Sequence, residues 1–177
     1  MKARLLKLVC LVAVSVLAGG NVRADSTVVF NEIMYHSATN EAALEWVELH
    51  NQMAVDMELS GWSLAKAIQF TFAEGTVLAG GGYLVVAVNP AALMAATGLT
   101  NVFGPFSGRL ANNGETIELH NKDGRLMDSV TYDVQGDWPS GPDGTGVSLA
   151  KYDEDSATSA PANWRMSTQV GGTPGAA

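Results

Sequence analysis

The chain has 177 residues, with ten Lys and Arg against 18 Asp and Glu, and a formal net charge of −8. Hydrophobic residues make up 47% and charged residues 16% of the chain, which excludes wholesale disorder. The single Cys excludes an internal disulfide and a cysteine-based zinc site. The acidic balance argues against a protein that binds the phosphate backbone of nucleic acid. This length predicts one domain with a sizeable core.

Residues 1–24 have the pattern of a secretory signal peptide. A basic start precedes an apolar run over residues 8–18, and the small residue Ala24 ends the segment. The run is shorter than the roughly 20 residues that a membrane span needs, so an uncleaved anchor is the less favoured alternative. Cleavage removes Cys10 and four basic residues, which leaves residues 25–177 with a net charge of −12. We therefore expect an exported protein, periplasmic, extracellular or at the cell surface, with no membrane span in the mature chain.

The first half of the mature chain predicts short strands separated by Gly, Asn and Asp. The candidates are Thr27–Tyr35, Leu44–His50, Met57–Ala65, Ile68–Phe72 and Tyr83–Val88. Tyr83–Val88 is apolar on both faces, which predicts a central, buried strand. In Leu44–His50 the apolar Val47 and Leu49 alternate with Trp46, Glu48 and His50, so we expect Trp46 and His50 to face outward.

One short helix is predicted after the Tyr83–Val88 strand. Asn89 is suited to cap the free N–H groups, Pro90 fits the first helical position, and Gly98 ends a helix over Ala91–Thr97. A bend is predicted at Gly61, inside the third strand candidate.

The second half predicts a hairpin, in which Thr116–His120 and Arg125–Tyr132 flank a turn that ends at Gly124. Asp128 shares an otherwise apolar face of the returning strand. We expect it to be hydrogen-bonded in the core, because buried polar groups are normally satisfied locally. Val147–Tyr152 is the last strand candidate, and we expect irregular structure from Val170 onward.

The segment Glu45–Asn51 is repeated at Glu115–Asn121, with five of seven positions identical. Two copies do not make a repeat protein, and they fit two sandwich strands under the same constraint. The number of strands, their alternation and the short turns predict an all-β fold, an immunoglobulin-like β-sandwich with one short helix.

Several segments, in order along the chain, resemble the lamin tail domain, and the later ones resemble its bacterial, exported branch. They are Val29–Tyr35, Glu45–Asn51, Leu59–Leu64, Gly80–Val86, Asp143–Leu149, Ala162–Arg165 and Gly172–Gly175. The resemblance covers residues 27–176 and implies an immunoglobulin-like β-sandwich that carries no catalytic residues. Filament-forming members carry a coiled-coil rod, but this sequence has no heptads. Whether the chain is a free-standing domain or part of a longer protein stays open.

Three acidic residues suggest a calcium site. Asp133, Asp137 and Asp143 fall in one loop rich in Gly and Pro, and the acidic run 153–155 follows the next strand. Calcium binds six to eight oxygens, which carboxylates and loop carbonyls supply. The alternative is a solvated acidic surface that keeps the protein soluble. No other cofactor is expected.

The histidines and serines give little support for other chemistry. A histidine metal site would need His36, His50 and His120 to converge, whereas His50 and His120 end two equivalent strands and are expected to point outward. No Gly-x-Ser-x-Gly motif is present. We therefore predict that the protein is not an enzyme.

The tryptophans offer the candidate binding residues. Trp138 lies in a loop, where a large aromatic side chain is placed to stack on a sugar ring or a partner. Trp46 is the second candidate, on the expectation that it faces outward. Trp62 and Trp164 are expected to pack in the core.

These observations predict an exported, non-catalytic binding or adhesion module that mediates protein–protein or surface attachment. The alternative is a carbohydrate-binding accessory module of an extracellular hydrolase system, dependent on calcium or not. The expected partner is an exported or surface protein, or an extracellular polysaccharide. Nucleic acid is not expected as a partner, because the net charge of the mature chain is strongly negative.

Overall fold

The structure, a computed structural model, describes residues 27–38 and 43–176. The predicted signal peptide, residues 1–24, lies outside the described residues. The regular secondary structure of the described chain is mainly antiparallel β-strand, with one α-helix of two turns. No helix in the described ranges has the length and apolar character needed to cross a membrane.

The strands in chain order are β1 Val28–Met34, β2 Trp46–Asn51, β3 Met57–Glu58, β4 Ser63–Lys66, β5 Ile68–Thr71, β6 Val77–Leu78, β7 Tyr83–Ala87, β8 Ser107–Gly108, β9 Glu115–His120, β10 Leu126–Tyr132, β11 Val147–Lys151 and β12 Trp164–Val170. The helix α1 spans Pro90–Thr97, and short helical turns lie at Pro142–Thr145 and Pro161–Asn163.

Two five-stranded sheets form a sandwich. The first has the order β12-β11-β1-β2-β7, the second has the order β10-β9-β4-β5-β8, and β3 pairs with β6 separately. Their apolar side chains share one core, which includes Phe30 and Leu49 from the first sheet and Leu119 and Val130 from the second. The predicted all-β, immunoglobulin-like sandwich is confirmed.

The local signals for the helix and the hairpin are confirmed. The side chain of Asn89 accepts a hydrogen bond from the Ala92 N–H, and Gly98 ends α1 with a φ of 79°. Strands β9 and β10 pair in antiparallel register. Gly124 closes their turn with a φ of 75°, a conformation that L side chains adopt at a cost.

Three strand predictions need correction. The single strand predicted at Met57–Ala65 is two strands, because a turn at Gly61, with a φ of 72°, separates β3 from β4. The predicted central strand, β7, is buried but lies at the end of its sheet, where the backbone of Phe103 hydrogen-bonds to Val85 and Ala87. Strand β12 was not predicted, since its exposed and buried residues do not alternate.

The first sheet is covered on both faces, and this contradicts the outward orientation predicted for part of β2. All six residues of β2 are buried, including Trp46 at 1% exposure and His50 at 2%. Trp46 packs in a second apolar cluster with Leu93 of α1 and Met34 of β1. Residues 171–176, which we call the C-terminal tail, pack on the same face: a Cβ added at Gly172 would lie 2.8 Å from the Trp46 ring.

Asp128 is hydrogen-bonded in the interior, as the sequence predicted, and its bond to β1 joins the two sheets. Its Oδ2 accepts hydrogen bonds of 2.8 Å from the Phe30 N–H and from the Thr158 hydroxyl. Burial raises the pKa of this carboxyl, although the two hydrogen bonds oppose the shift. Asp128 therefore satisfies a buried backbone donor where β1 has a bulge.

We expect Asp128→Ala to destabilise the fold by about 1–3 kcal/mol, because it leaves the buried Phe30 N–H without its acceptor. Asp128→Asn should cost less, since its amide oxygen can accept both hydrogen bonds without the burial of a charge. Urea unfolding followed by circular dichroism measures both variants. Equal losses of stability in the Ala and Asn variants would contradict this role of Asp128.

Candidate functional site

Two glutamates face each other across β1 and β2, on the face of the first sheet that lies away from the shared core. Glu32 is the register partner of Glu48, and both side chains have 0% exposure. The bulge in β1 adds Asn31 beside them, and its side-chain amide donates to Glu48 Oε1 at 2.9 Å. The sequence places two carboxyl groups inside the protein, where each must find hydrogen-bond donors.

The C-terminal tail supplies most of these donors. Glu32 accepts hydrogen bonds from the backbone N–H and the hydroxyl of Thr173, both at 2.9 Å, and from the hydroxyl of Ser148. Glu48 accepts one from the Gly175 N–H. Residues 171–176 form neither strand nor helix, as the sequence predicted, and the glutamates hold this irregular tail on the sheet.

The surroundings of the pair favour its protonated forms. Burial, and less strongly the charge of Glu32, raises the pKa of Glu48 to about 8, against the hydrogen bonds from Asn31 and Gly175. Burial also raises the pKa of Glu32. Because both side chains are enclosed, this pair is suited to holding the tail rather than to reacting with a substrate.

An apolar cleft of about 430 Å³ lies between α1 and the C-terminal tail. Its wall includes Trp46, Leu93 and Pro174, and Val170 stands at its edge with 74% exposure. Trp46 contributes to this wall from a buried position, so the prediction that it presents an exposed binding platform is wrong. The overlying helix and tail, distant in sequence, are the reason.

A second, polar cleft of about 480 Å³ lies on the side of the sheet where β11 and β12 pair. We call it the Tyr152 cleft. Tyr152 has 63% exposure, and among the described residues it is the only exposed aromatic side chain. The guanidinium of Arg165 lies over its ring, 5.1 Å from the centroid. The sequence pattern predicts neither residue as functional, because it places Tyr152 only at the end of a strand and Arg165 only in a segment that resembles the family.

Trp138 is half-buried rather than free on its loop. Its ring lies 6.1 Å from the ring of Trp164, and it packs against the edge of the core. Trp62 and Trp164 are buried, as predicted. Of the two tryptophans predicted to bind a ligand, only Trp138 therefore retains any accessible surface of note.

The three predicted calcium ligands do not gather into one site. Asp133 Oδ1 accepts the backbone N–H groups of Val134 and Gln135, and Asp143 pairs with His36 at 2.7 Å. Within residues 27–38 and 43–176, no three His, Cys, Asp or Glu side chains lie close enough to hold a metal ion. Asp133 is used in a local turn and Asp143 in the pair with His36, while Asp137 is exposed.

The histidines also remain apart. His50 is buried and stacks on Tyr83 with ring centroids 4.7 Å apart, which corrects the prediction that it points outward. His120 lies 2.9 Å from Glu118, and this hydrogen bond raises the pKa of the histidine. Each ring has its own local partner, as expected for histidines without a shared metal.

Comparison with known proteins agrees with this architecture. The family model of the lamin tail domain matches residues 21–133, well over half of the chain. No curated protein matches this chain. Lamin tail domains are immunoglobulin-like, non-enzymatic domains of the binding type. The matched residues contain β1 to β10 and the facing glutamates, so the chain belongs to the lamin tail domain family.

Proposed function

We propose that this protein is an exported, non-catalytic module that attaches to another exported or surface protein through the open edge of β12. The export part of the proposal is supported by the signal-peptide pattern of residues 1–24. The attachment part is supported by the family and by one feature of the first sheet, the unpaired side of its outermost strand.

Strand β12 is seven residues long and, among the described strands, pairs with β11 only. It exposes two apolar side chains, Met166 at 51% and Val170 at 74%. The other end of the same sheet is protected, since Phe103 hydrogen-bonds to the edge of β7. A long edge strand that exposes apolar side chains and has no Lys to oppose pairing can bind a strand of another protein.

An extended segment of a partner fits this edge by strand addition. Backbone hydrogen bonds supply the affinity in this mode, and alternate side chains supply the specificity. The chain carries a net charge of −8, so a neutral or basic segment is favoured over an acidic one.

The role of the β12 edge is tested by adding positive charges that oppose strand pairing. In cells that export the protein, a photoreactive residue at position 168 should crosslink to the partner protein. We expect the double variant Met166→Lys and Val170→Lys to lose this crosslink. The matched control places Lys at Val77 and Leu126, which are exposed apolar residues on other strands. A crosslink that survives in the β12 variant, or disappears equally in the control, would contradict the proposal.

Export is tested separately. We expect the product recovered outside the cytoplasm to begin at residue 25, as read by N-terminal sequencing. An uncleaved N-terminus in the membrane fraction would favour the anchor instead.

The second candidate function is a carbohydrate-binding accessory module of an extracellular hydrolase system. The Tyr152 cleft favours it, because it combines an exposed aromatic ring with polar side chains. Calcium dependence is part of this alternative, and adding EDTA to the binding assay tests it. The net charge speaks against duplex DNA as the partner, and a gel shift at low salt tests that expectation.

A further inference from the structure

We infer that the Tyr152 cleft is a binding site for a neutral carbohydrate. The inference rests on the proposed binding role, and in particular deepens its second candidate. It concerns side chains on a face of the first sheet, whereas strand addition uses the backbone at the edge of β12. The two proposals can therefore fail independently.

Tyr152 supplies the aromatic surface of the cleft. Tyr152 follows β11 directly, and at 63% exposure its ring is the most exposed aromatic side chain among the described residues. Arg165 lies over the ring and limits its freedom. A ring already held in place loses little conformational entropy when a ligand packs on it, which favours binding. The apolar C–H face of a sugar ring is a natural partner for such a surface.

Polar side chains line the same cleft. The guanidinium of Arg165 belongs to the cleft lining, although its Nε–H is buried. Asp153 and Thr168 are exposed in the lining of the same cleft. Guanidinium donors, carboxylate acceptors and hydroxyls that do both match the hydroxyl groups of a sugar.

The charge and size of the cleft decide the class of sugar. Lys151 and Arg165 face the acidic Glu32, Asp153 and Glu154 in its lining. The balance is close to even, with three acidic side chains against two basic ones. An anionic or cationic ligand therefore gains little. A cleft of about 480 Å³ is in the range of small-molecule sites, which suits one or two sugar rings of a chain.

The test is affinity electrophoresis of the full mature chain in native gels that contain xylan, mannan or a mixed-linkage β-glucan. We expect one of these to retard the wild-type protein. Tyr152→Ala should weaken the apparent affinity about tenfold or more, because it removes the stacking surface. Tyr152→Phe keeps the ring and should retain most of the retardation. Trp138→Ala, which alters the aromatic residue of the neighbouring loop, should leave it unchanged.

The outcomes separate the possibilities. Retardation that depends on Tyr152 and not on Trp138 supports the inference. Retardation that Trp138→Ala abolishes and Tyr152→Ala leaves intact overturns it in favour of the loop. Wild-type migration that none of the three polysaccharides changes also overturns it, while leaving the edge of β12 untouched. Circular dichroism of each variant confirms that it is folded before its migration is compared.

Discussion

Replacing Trp46 with Ala should lower the free energy of unfolding by about 3–5 kcal/mol, the range for a large aromatic residue removed from a packed interior. The Trp46 side chain is enclosed by Met34, Val85 and Leu93. It also supports the C-terminal tail, which approaches its ring at Gly172. The variant loses the burial of the indole and leaves a cavity, and the rigid sheet beneath cannot close that cavity fully.

Urea unfolding followed by far-UV circular dichroism measures this loss. Trp138→Ala is the matched control, because it removes the same side chain from a half-buried position and should cost clearly less. Near-equal losses for the two variants would mean that Trp46 is not enclosed as described. An unchanged stability of the Trp46 variant would contradict the covered outer face altogether.

The elements that the sequence predicted correctly depend on neighbours in the chain. The β9–β10 turn depends on Asn121 and Gly124, and the helix depends on Asn89, Pro90 and Gly98. In each case the decisive hydrogen bonds span four residues or fewer. Such signals are complete within a short window, and the overall fold class followed from summing them.

The two copies of the repeated segment have different environments in the fold. Glu48 and Glu118 occupy equivalent positions of nearly identical strands, yet Glu48 has 0% exposure and Glu118 has 21%. His50 and His120 differ in the same way, at 2% and 23%. For Glu48 the difference comes from the C-terminal tail, whose Gly175 N–H bonds to it, whereas His50 is covered by the ring of Tyr83. A segment more than 120 residues away decides the environment of Glu48, and the alternation within the strand carries no sign of it.

The candidate sites follow the same rule. Tyr152 and Arg165 become neighbours only because β11 pairs with β12, and β12 was not predicted. The acidic loop gave a visible pattern in the sequence, but turns and a pair with His36 separate its carboxylates. Composition therefore suggested a cluster of carboxylates that the described residues do not form, and pairing between strands brought Tyr152 and Arg165 together without a compositional signal.

The stability of the protein should fall as the pH rises from about 5 to about 8, by up to about 1.4 kcal/mol per pH unit for Glu48 alone. The pKa of Glu48 is about 8 in the folded protein, against an ordinary value of 4.5. Between these values the folded state keeps a proton that the unfolded state has released. The folded state therefore loses stability as the pH rises towards 8, and the loss levels off above it.

Glu48→Gln should flatten this dependence, because its side chain has no proton to lose. Glu32, Asp128 and His120, whose pKa values are also raised, account for the slope that remains. Glu74→Gln is the matched control, since it makes the same change at an exposed turn and should keep the wild-type slope. Free energies of unfolding from urea titrations across this pH range give the comparison.

The same experiment bears on what the two glutamates do for the tail. A charged Glu48 beside Glu32 is costly because the pair is buried, and the Gly175 N–H offsets only part of that cost. We therefore expect the tail to become more accessible to a protease as the pH rises, before the sandwich itself unfolds. A tail whose cleavage rate is the same at both ends of the range, together with an unchanged slope in Glu48→Gln, would show that the pair does not control it.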